Sequence, residues 1–169
     1  MYDTPVSSAR TMNAALPPQL AAEFTRSLIA PRRPLLTRGG WATFTERSTG
    51  GVAVVVHIEN APPGIHGLHV HEKGDCSAPD ASSAGGHFNP GGDPHAGPTE
   101  MHRHAGDLGN ITIEANGTGH LELVTDLLTV RPGPNSVVGR AVVFHEKADD
   151  LKTQPTGNAG GRFGCGVIQ

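Results

Sequence analysis

With 169 residues, the chain is long enough for one domain with a proper core and too short for two. The formal net charge of −3 indicates no nucleic-acid partner, and no apolar run approaches the ~20 residues needed to span a bilayer. Only 17% of the residues are charged, and 23 glycines and 14 prolines favour short strands joined by shaped loops over a helical bundle.

The first part of the chain, residues 1–25, is predicted to be an N-terminal extension. It is polar, and Pro17 and Pro18 would break a long helix. A short helix over Pro18–Phe24 is one alternative, but an extension that is draped over the domain or partly disordered is favoured. The segment lacks the basic start and long apolar stretch of a secretory signal peptide.

Residues 26–169 are predicted to form one all-β domain. Pro31 and Pro34 confine any strand in residues 26–38 to a sheet edge, and the β pattern is clear after that. Asn116-Gly117 is a strong signal for a tight turn between two strands. Seven or eight short strands in a chain of this size predict an antiparallel sandwich or flattened barrel. The predicted strands are Trp41–Glu46, Val52–Asn60, His66–Glu72, Leu108–Glu114, His120–Thr125, Val137–Phe144 and Cys165–Ile168.

Two long segments do not fit the strand pattern. Residues 73–107 and 146–164 are loops of about 35 and about 19 residues, and loops of this length are uncommon in a compact domain unless they serve a function. Both are bounded by candidate metal ligands. We therefore expect the strands to supply a rigid wall and the two loops to build a site on it.

The two cysteines, Cys76 and Cys165, belong to no Cys-x-x-Cys motif, so a zinc knuckle is not indicated. Two unrelated buried thiols are one interpretation, but an even number of cysteines in a small, loop-rich protein favours a disulfide. Such a bond would close a loop of about 90 residues and contribute on the order of 4 kcal/mol. It would also indicate an oxidising compartment.

The histidines fall in a pattern that could hold two metal ions side by side. His69 and His71 project to the same face of a strand, because strand side chains repeat every two residues. His104 and Asp107, three residues apart in a glycine-bounded turn, can converge on one small ion. Imidazole suits copper and zinc, and a mixed imidazole and carboxylate set suits zinc, so the pattern indicates redox or hydrolytic metal chemistry. The complete set is His69, His71, His87, His95, His104, Asp107 and His145.

Five sequence blocks resemble those of the copper/zinc superoxide dismutases. They occur in the family's order over roughly residues 40–169, and five ordered blocks make a very specific signal. The stretch after Gly74 and the Gly160-Gly161-Arg162 ending look like the bacterial branch of the family. The blocks are GLHVHEKGDC (67–76), GGHFNP (85–90), HAGDLGN (104–110), GRAVVFHEKADD (139–150) and GNAGGRFGCGVI (157–168).

The resemblance implies an eight-stranded antiparallel Greek-key β-sandwich or flattened barrel, immunoglobulin-like, with two long functional loops. It also implies one copper and one zinc ion per chain, with His87 bridging the two. The copper ligands would be His69, His71, His87 and His145, and the zinc ligands would be His87, His95, His104 and Asp107.

Further roles follow from the same resemblance. Arg162 would lie beside the open face of the copper, and Cys76 would pair with Cys165. Asp149 would hydrogen-bond to His71 and His95 through the ring nitrogens that do not bind metal. The implied activity is antioxidant defence, the dismutation of superoxide to oxygen and hydrogen peroxide. It would proceed by alternate reduction and reoxidation of copper, with Arg162 and His87 as the catalytic residues.

The family's default is a homodimer, although monomers occur in the bacterial branch. The expected disulfide and the family favour a periplasmic or secreted enzyme, while the missing signal peptide leaves the cytoplasm open. The superoxide anion is the expected partner, with no nucleic acid and no membrane span.

Other interpretations are weaker on the residues present. A non-catalytic metal-binding or chaperone-like relative would be expected to lose copper ligands or the arginine, and a copper-only variant would lack the zinc set. A zinc hydrolase would need an open zinc position, whereas four protein ligands close it. Four further histidines are not expected to bind metal. His57 and His120 are expected to be surface or packing residues, and His66 is expected to be structural. His102 could compete for zinc, but the family motif favours His104.

Overall fold

The computed structural model describes residues 19–23, 25–26 and 39–169, and nine β-strands in these ranges form one antiparallel sheet. The strand order across the sheet is β1-β3-β4-β7-β6-β5-β8-β9-β2. No helix in the described ranges is long and apolar enough to cross a membrane. The strands are β1 (Gln19–Glu23), β2 (Thr25–Arg26), β3 (Gly39–Glu46), β4 (Val52–Glu59), β5 (Gly64–His71), β6 (Asp107–Ile113), β7 (Gly119–Thr125), β8 (Ala141–His145) and β9 (Arg162–Val167).

The short strands β1 and β2 bring the two ends of the sheet together. Glu23 of β1 is the register partner of Trp41 in β3, and Thr25 of β2 is the partner of Cys165 in β9. β1 and β2 therefore pair with β3 at one end of the sheet and with β9 at the other. Together with the seven strands from β3 onward, they make the nearly closed Greek-key barrel that the family resemblance implies.

The strand at Gln19–Glu23 corrects one expectation for the N-terminal segment. A short helix over Pro18–Phe24 is wrong, because Gln19–Glu23 pairs with β3. The edge of β3 offers a row of unpaired backbone groups, and this pairing outweighs the local helix preference. The sheet thus begins within the predicted extension. Residues 1–18 and 27–38, with Pro31 and Pro34, lie outside the described residues.

The seven predicted strands are all present, with shifted ends. The largest shift concerns the predicted strand Val137–Phe144, which begins only at Ala141. Residues 137–140 form a turn instead, in which the Arg140 amide donates to the Val137 carbonyl at 3.0 Å. The apolar residues of this turn resemble a strand in sequence. Val137 is fully buried, so its apolar character reflects packing in the core rather than a strand.

The core lies inside the barrel and follows the alternation of the strands. In β4, Val52, Val54, Val56 and Ile58 point inward and are buried, while the residues between them are partly exposed. β5 differs, because every residue from His66 to His71 is buried. Its outer face is covered by a long loop, so histidines on that face are enclosed rather than exposed to water.

Two long loops cover the outer face of the β5–β8 part of the barrel, as predicted. Residues 72–106 connect β5 to β6 and include one 3₁₀ turn at Ser82–Ala84. Residues 146–161 connect β8 to β9. The disulfide between Cys76 and Cys165 joins the first loop to β9, which confirms the pairing that the family resemblance implies.

Candidate metal centre

The structure brings the predicted ligands together in two adjoining groups. Within each group, one ligand atom from every residue lies within 4.8 Å of the others, and all the residues are buried. His87 belongs to both groups. The first group is His69, His71, His87 and His145, and the second is His87, His95, His104 and Asp107.

Strand β5 and its neighbours place the first group. His69 and His71 share the outward face of β5, as the two-residue repeat predicts. β6 begins opposite His69 of β5. Beyond His69, residues 86–88 lie beside β5 instead, and His87 forms an isolated β-bridge with His71. The Phe88 amide donates to the Val70 carbonyl at 2.8 Å and fixes this arrangement. His145 follows at the end of β8, on the other side of β5.

The ring of His87 lies between the two groups. Its Nδ1 is 2.8 Å from Oδ1 of Asp107, in the second group. Its Nε2 is buried without a hydrogen-bond partner, and its ring centroid is 3.9 Å from that of His69, in the first group. One imidazole thus presents a different nitrogen to each group.

Several buried ring nitrogens lack the hydrogen bonds that buried polar atoms ordinarily make. His69 Nδ1, His87 Nε2 and His95 Nδ1 have no hydrogen-bond partner. His95 Nδ1 lies 3.0 Å from Oδ2 of Asp107, but the two atoms are not aligned as donor and acceptor. Converging imidazole nitrogens in the first group, and imidazole nitrogens with a carboxylate in the second, fit copper and zinc respectively.

The opposite nitrogen of each of three rings is held by a protein oxygen, as is usual for metal-binding histidines. His69 Nε2 donates to Oδ2 of Asp149 at 2.7 Å, and His95 Nε2 donates to Oδ1 of the same carboxylate at 2.9 Å. His71 Nδ1 donates to the Gly85 carbonyl at 2.9 Å. Asp149 therefore links His69 to His95, and the expected bond from Asp149 to His71 is wrong. His71 instead faces the first loop, where the Gly85 carbonyl occupies that position.

Asp107 is the hub of the second group. Its Oδ2 accepts hydrogen bonds from the backbone amides of Ala96 at 3.1 Å and His104 at 3.2 Å. Burial opposes the charged form, but the nearby rings of His104, His87 and His95 hold the pKa of Asp107 well below its usual range. The carboxylate is therefore ionised at neutral pH, as a metal ligand must be.

The first group is electrostatically suited to neutral imidazoles. Burial, followed by repulsion from His87, lowers the pKa of His71 to about 2. Burial, followed by repulsion from His69, lowers the pKa of His145 to about 3. Since a histidine binds a metal in its neutral form, the surroundings favour the state that coordination requires.

Arg162 lies at the edge of the first group and is partly exposed. Its Nη1 donates to the Ala81 carbonyl and its Nη2 to the Gly85 carbonyl, both at 2.6 Å. The Gly85 carbonyl also accepts from His71. One carbonyl thus connects the guanidinium to a metal-binding ring.

One supporting residue escaped the sequence analysis. The side chain of Gln154 accepts a hydrogen bond from the His95 amide and donates one to the His95 carbonyl, each at 2.7 Å. This pair of bonds attaches the second loop to the backbone of a zinc-group residue. No local pattern around Gln154 indicates this contact, because it depends on how two distant loops meet.

The remaining histidines lie outside both groups, as expected. His66 bridges the carbonyls of His145 and Pro62 at 3.0 Å each, a structural role. His102 is exposed beside Asp93. His57 and His120 lie on the outer surface of the sheet, away from the site.

Comparison with known proteins agrees with this geometry. The family profile of copper/zinc superoxide dismutase (SODC) matches residues 38–168. Among solved structures, one described as the clock protein EA4 is 41% identical, with a TM-score of 0.78. The match covers 94% of this chain and 98% of that one. The chain belongs to the copper/zinc superoxide dismutase family.

Proposed function

We propose that this chain converts two superoxide anions and two protons into oxygen and hydrogen peroxide, using the residues of the two groups as follows. The observation that carries the proposal is the position of His87, whose two nitrogens face different groups. Family membership supports the reaction. When bound, copper supplies reversible one-electron transfer, and zinc supplies a fixed positive charge without redox chemistry.

His69, His71, His87 and His145 would hold the copper, and His87, His95, His104 and Asp107 would hold the zinc. Asp149 would orient the rings of His69 and His95, and the Gly85 carbonyl would orient the ring of His71, each through the nitrogen that faces away from the metal group. His87 Nε2 is the atom we assign to receive a proton and return it to the peroxide product. Its Nδ1 stays engaged with the zinc group meanwhile, so the ring keeps its position.

Arg162 would attract the substrate. The whole chain carries a formal charge of −3, so the attraction of an anion must come from a local field. The guanidinium stays charged at any working pH, and its two carbonyl contacts fix it at the edge of the first group. We assign to it the steering and orientation of superoxide.

The proposal is tested by superoxide decay in protein loaded with one copper and one zinc per chain. We expect fast decay in the loaded protein, almost complete loss in His87→Gln, and unchanged decay in His102→Gln, whose ring is exposed outside both groups. Metal analysis of each variant accompanies the assay. Full loading without decay would identify a non-catalytic metal-binding protein instead.

We further propose a periplasmic or secreted protein of the family's bacterial-type branch, active as a homodimer. The disulfide between Cys76 and Cys165 supports an oxidising compartment. Solution mass, measured by light scattering over a range of concentrations, tests the dimer. A monomer at all concentrations would contradict it.

A further inference from the structure

A second cluster of histidine and carboxylate side chains lies on the outer face of β3, β4 and β7. His57 of β4 and His120 of β7 are register partners on adjacent antiparallel strands. Their ring centroids are 6.5 Å apart. Trp41 of β3 is the register partner of His57 on the other side, and its ring stacks on that of His57 at 5.7 Å.

Each of the two histidines has a glutamate two residues farther along its own strand. His57 Nε2 lies 3.2 Å from Glu59 Oε1, and His120 Nε2 lies 3.1 Å from Glu122 Oε1. Because the strands run in opposite directions, the two glutamates flank the histidine pair on opposite sides. All four side chains are open to solvent, with exposed fractions from 29% to 69%.

The charge of this surface favours a cation. The outward positions of β3, β4 and β7 carry two glutamates and no lysine or arginine. A divalent ion would therefore meet two carboxylates and no lysine or arginine on the outward faces of these three strands. Directly opposed positions on neighbouring strands also have Cβ atoms only ~5 Å apart, so two imidazoles there can turn onto one ion.

We propose that His57 and His120, flanked by Glu59 and Glu122, form a surface site for a borderline divalent cation such as Cu(II) or Zn(II). Two imidazoles with carboxylate support are ligands that both ions accept. The rings must rotate from their glutamate contacts towards each other, which exposed side chains can do without disturbing the core. The site is separate from the buried groups and shares no residue with them.

The single tryptophan of the chain provides a direct probe, since Trp41 contacts His57. Cu(II) is titrated into protein whose buried groups already hold copper and zinc, and Trp41 fluorescence is followed. We expect saturable quenching with about one additional Cu(II) per chain. Zn(II), which does not quench, should compete and restore the emission. Equilibrium dialysis counts the extra ion independently.

The variant His57→Gln/His120→Gln should weaken the additional site by about tenfold or more, and His102→Gln, another exposed histidine, should leave it unchanged. Glu59→Gln and Glu122→Gln should each weaken it less. Affinity rather than quenching amplitude is compared, because replacing His57 also changes the resting emission of Trp41. Circular dichroism and the content of the buried metals verify that each variant is folded. Quenching without saturation, or equal Cu(II) affinity in the double variant, would overturn the proposal.

Discussion

Arg162 combines a fixed charge with a fixed position, and we propose that both matter for an anionic substrate. Its guanidinium bonds to the carbonyls of Ala81 and Gly85, and Arg162 belongs to neither group of candidate ligands. Charge at this position can therefore be removed without removing a metal ligand.

We predict that Arg162→Ala lowers the second-order rate of superoxide decay by about tenfold or more, because local steering charge raises on-rates by 10–10³. The dependence of the rate on salt should flatten as well, while copper and zinc content stay normal. Stopped-flow kinetics at several ionic strengths measures both effects. Arg131→Ala, which removes an exposed arginine, is the control. Unchanged kinetics in Arg162→Ala would exclude that residue from the mechanism.

Asp149 is the second residue whose role can be isolated. Its two oxygens hold the rear nitrogens of His69 and His95, one ring from each metal group. Replacing the carboxylate with an amide removes its charge and allows only one of the two acceptors to remain.

For Asp149→Asn we expect zinc affinity to fall by roughly 10- to 100-fold, the usual effect of losing such an outer contact, with a loss of copper affinity as well. Competition against a chelator of known affinity gives the numbers. Glu114→Gln, an exposed carboxylate beside the β6–β7 turn, should change neither affinity. Normal retention of both metals in Asp149→Asn would show that the carboxylate is dispensable.

At the scale of elements, the disulfide is the covalent connection between the first long loop and the barrel. Cys76 and Cys165 are 89 residues apart in sequence. The same loop supplies the Ala81 and Gly85 carbonyls that hold Arg162. Loop and β9 therefore position the site together.

Replacing both cysteines with serine should lower the free energy of unfolding by about 4 kcal/mol, from the entropy of a loop of this length. Chemical denaturation of the metal-loaded protein measures the loss. Because Arg162 lies on β9 and its carbonyl partners lie in the loop, the activity should fall more than the metal content. A variant with full stability would show that the loop is held by its other contacts alone.

At the scale of the whole molecule, β1 and β2 close the barrel by pairing with β3 and β9. Deleting residues 1–26 would expose the edges of β3 and β9, which are templates for pairing with another chain. We expect the free energy of unfolding to fall by about 2 kcal/mol or more, with concentration-dependent association. The full-length chain is the reference. Unfolding curves and light scattering compare the two, and equal behaviour would contradict the closing role.

Much of this molecule follows from its sequence, and most of the exceptions depend on contacts between separate segments of the chain. The spacing of His69 and His71, and of His104 and Asp107, identifies ligands because strand and turn geometry act locally. The strand at Gln19–Glu23 does not follow, because it depends on pairing with the edge of β3, a separate segment. The contacts of Asp149 with His69 and of Gln154 with His95 likewise depend on how separate loops meet. No local sequence pattern indicates these contacts.

The shared ring of His87 also has a thermodynamic consequence. Because one ligand belongs to both sites, metal binding at the two sites is linked. If zinc changes the affinity for copper by some factor, copper changes the affinity for zinc by the same factor. The Asp149 carboxylate contacts both His69 and His95, so it also couples the two sites. Filling either site therefore changes the affinity of the other by the same factor, and the equilibrium result is the same whichever ion arrives first.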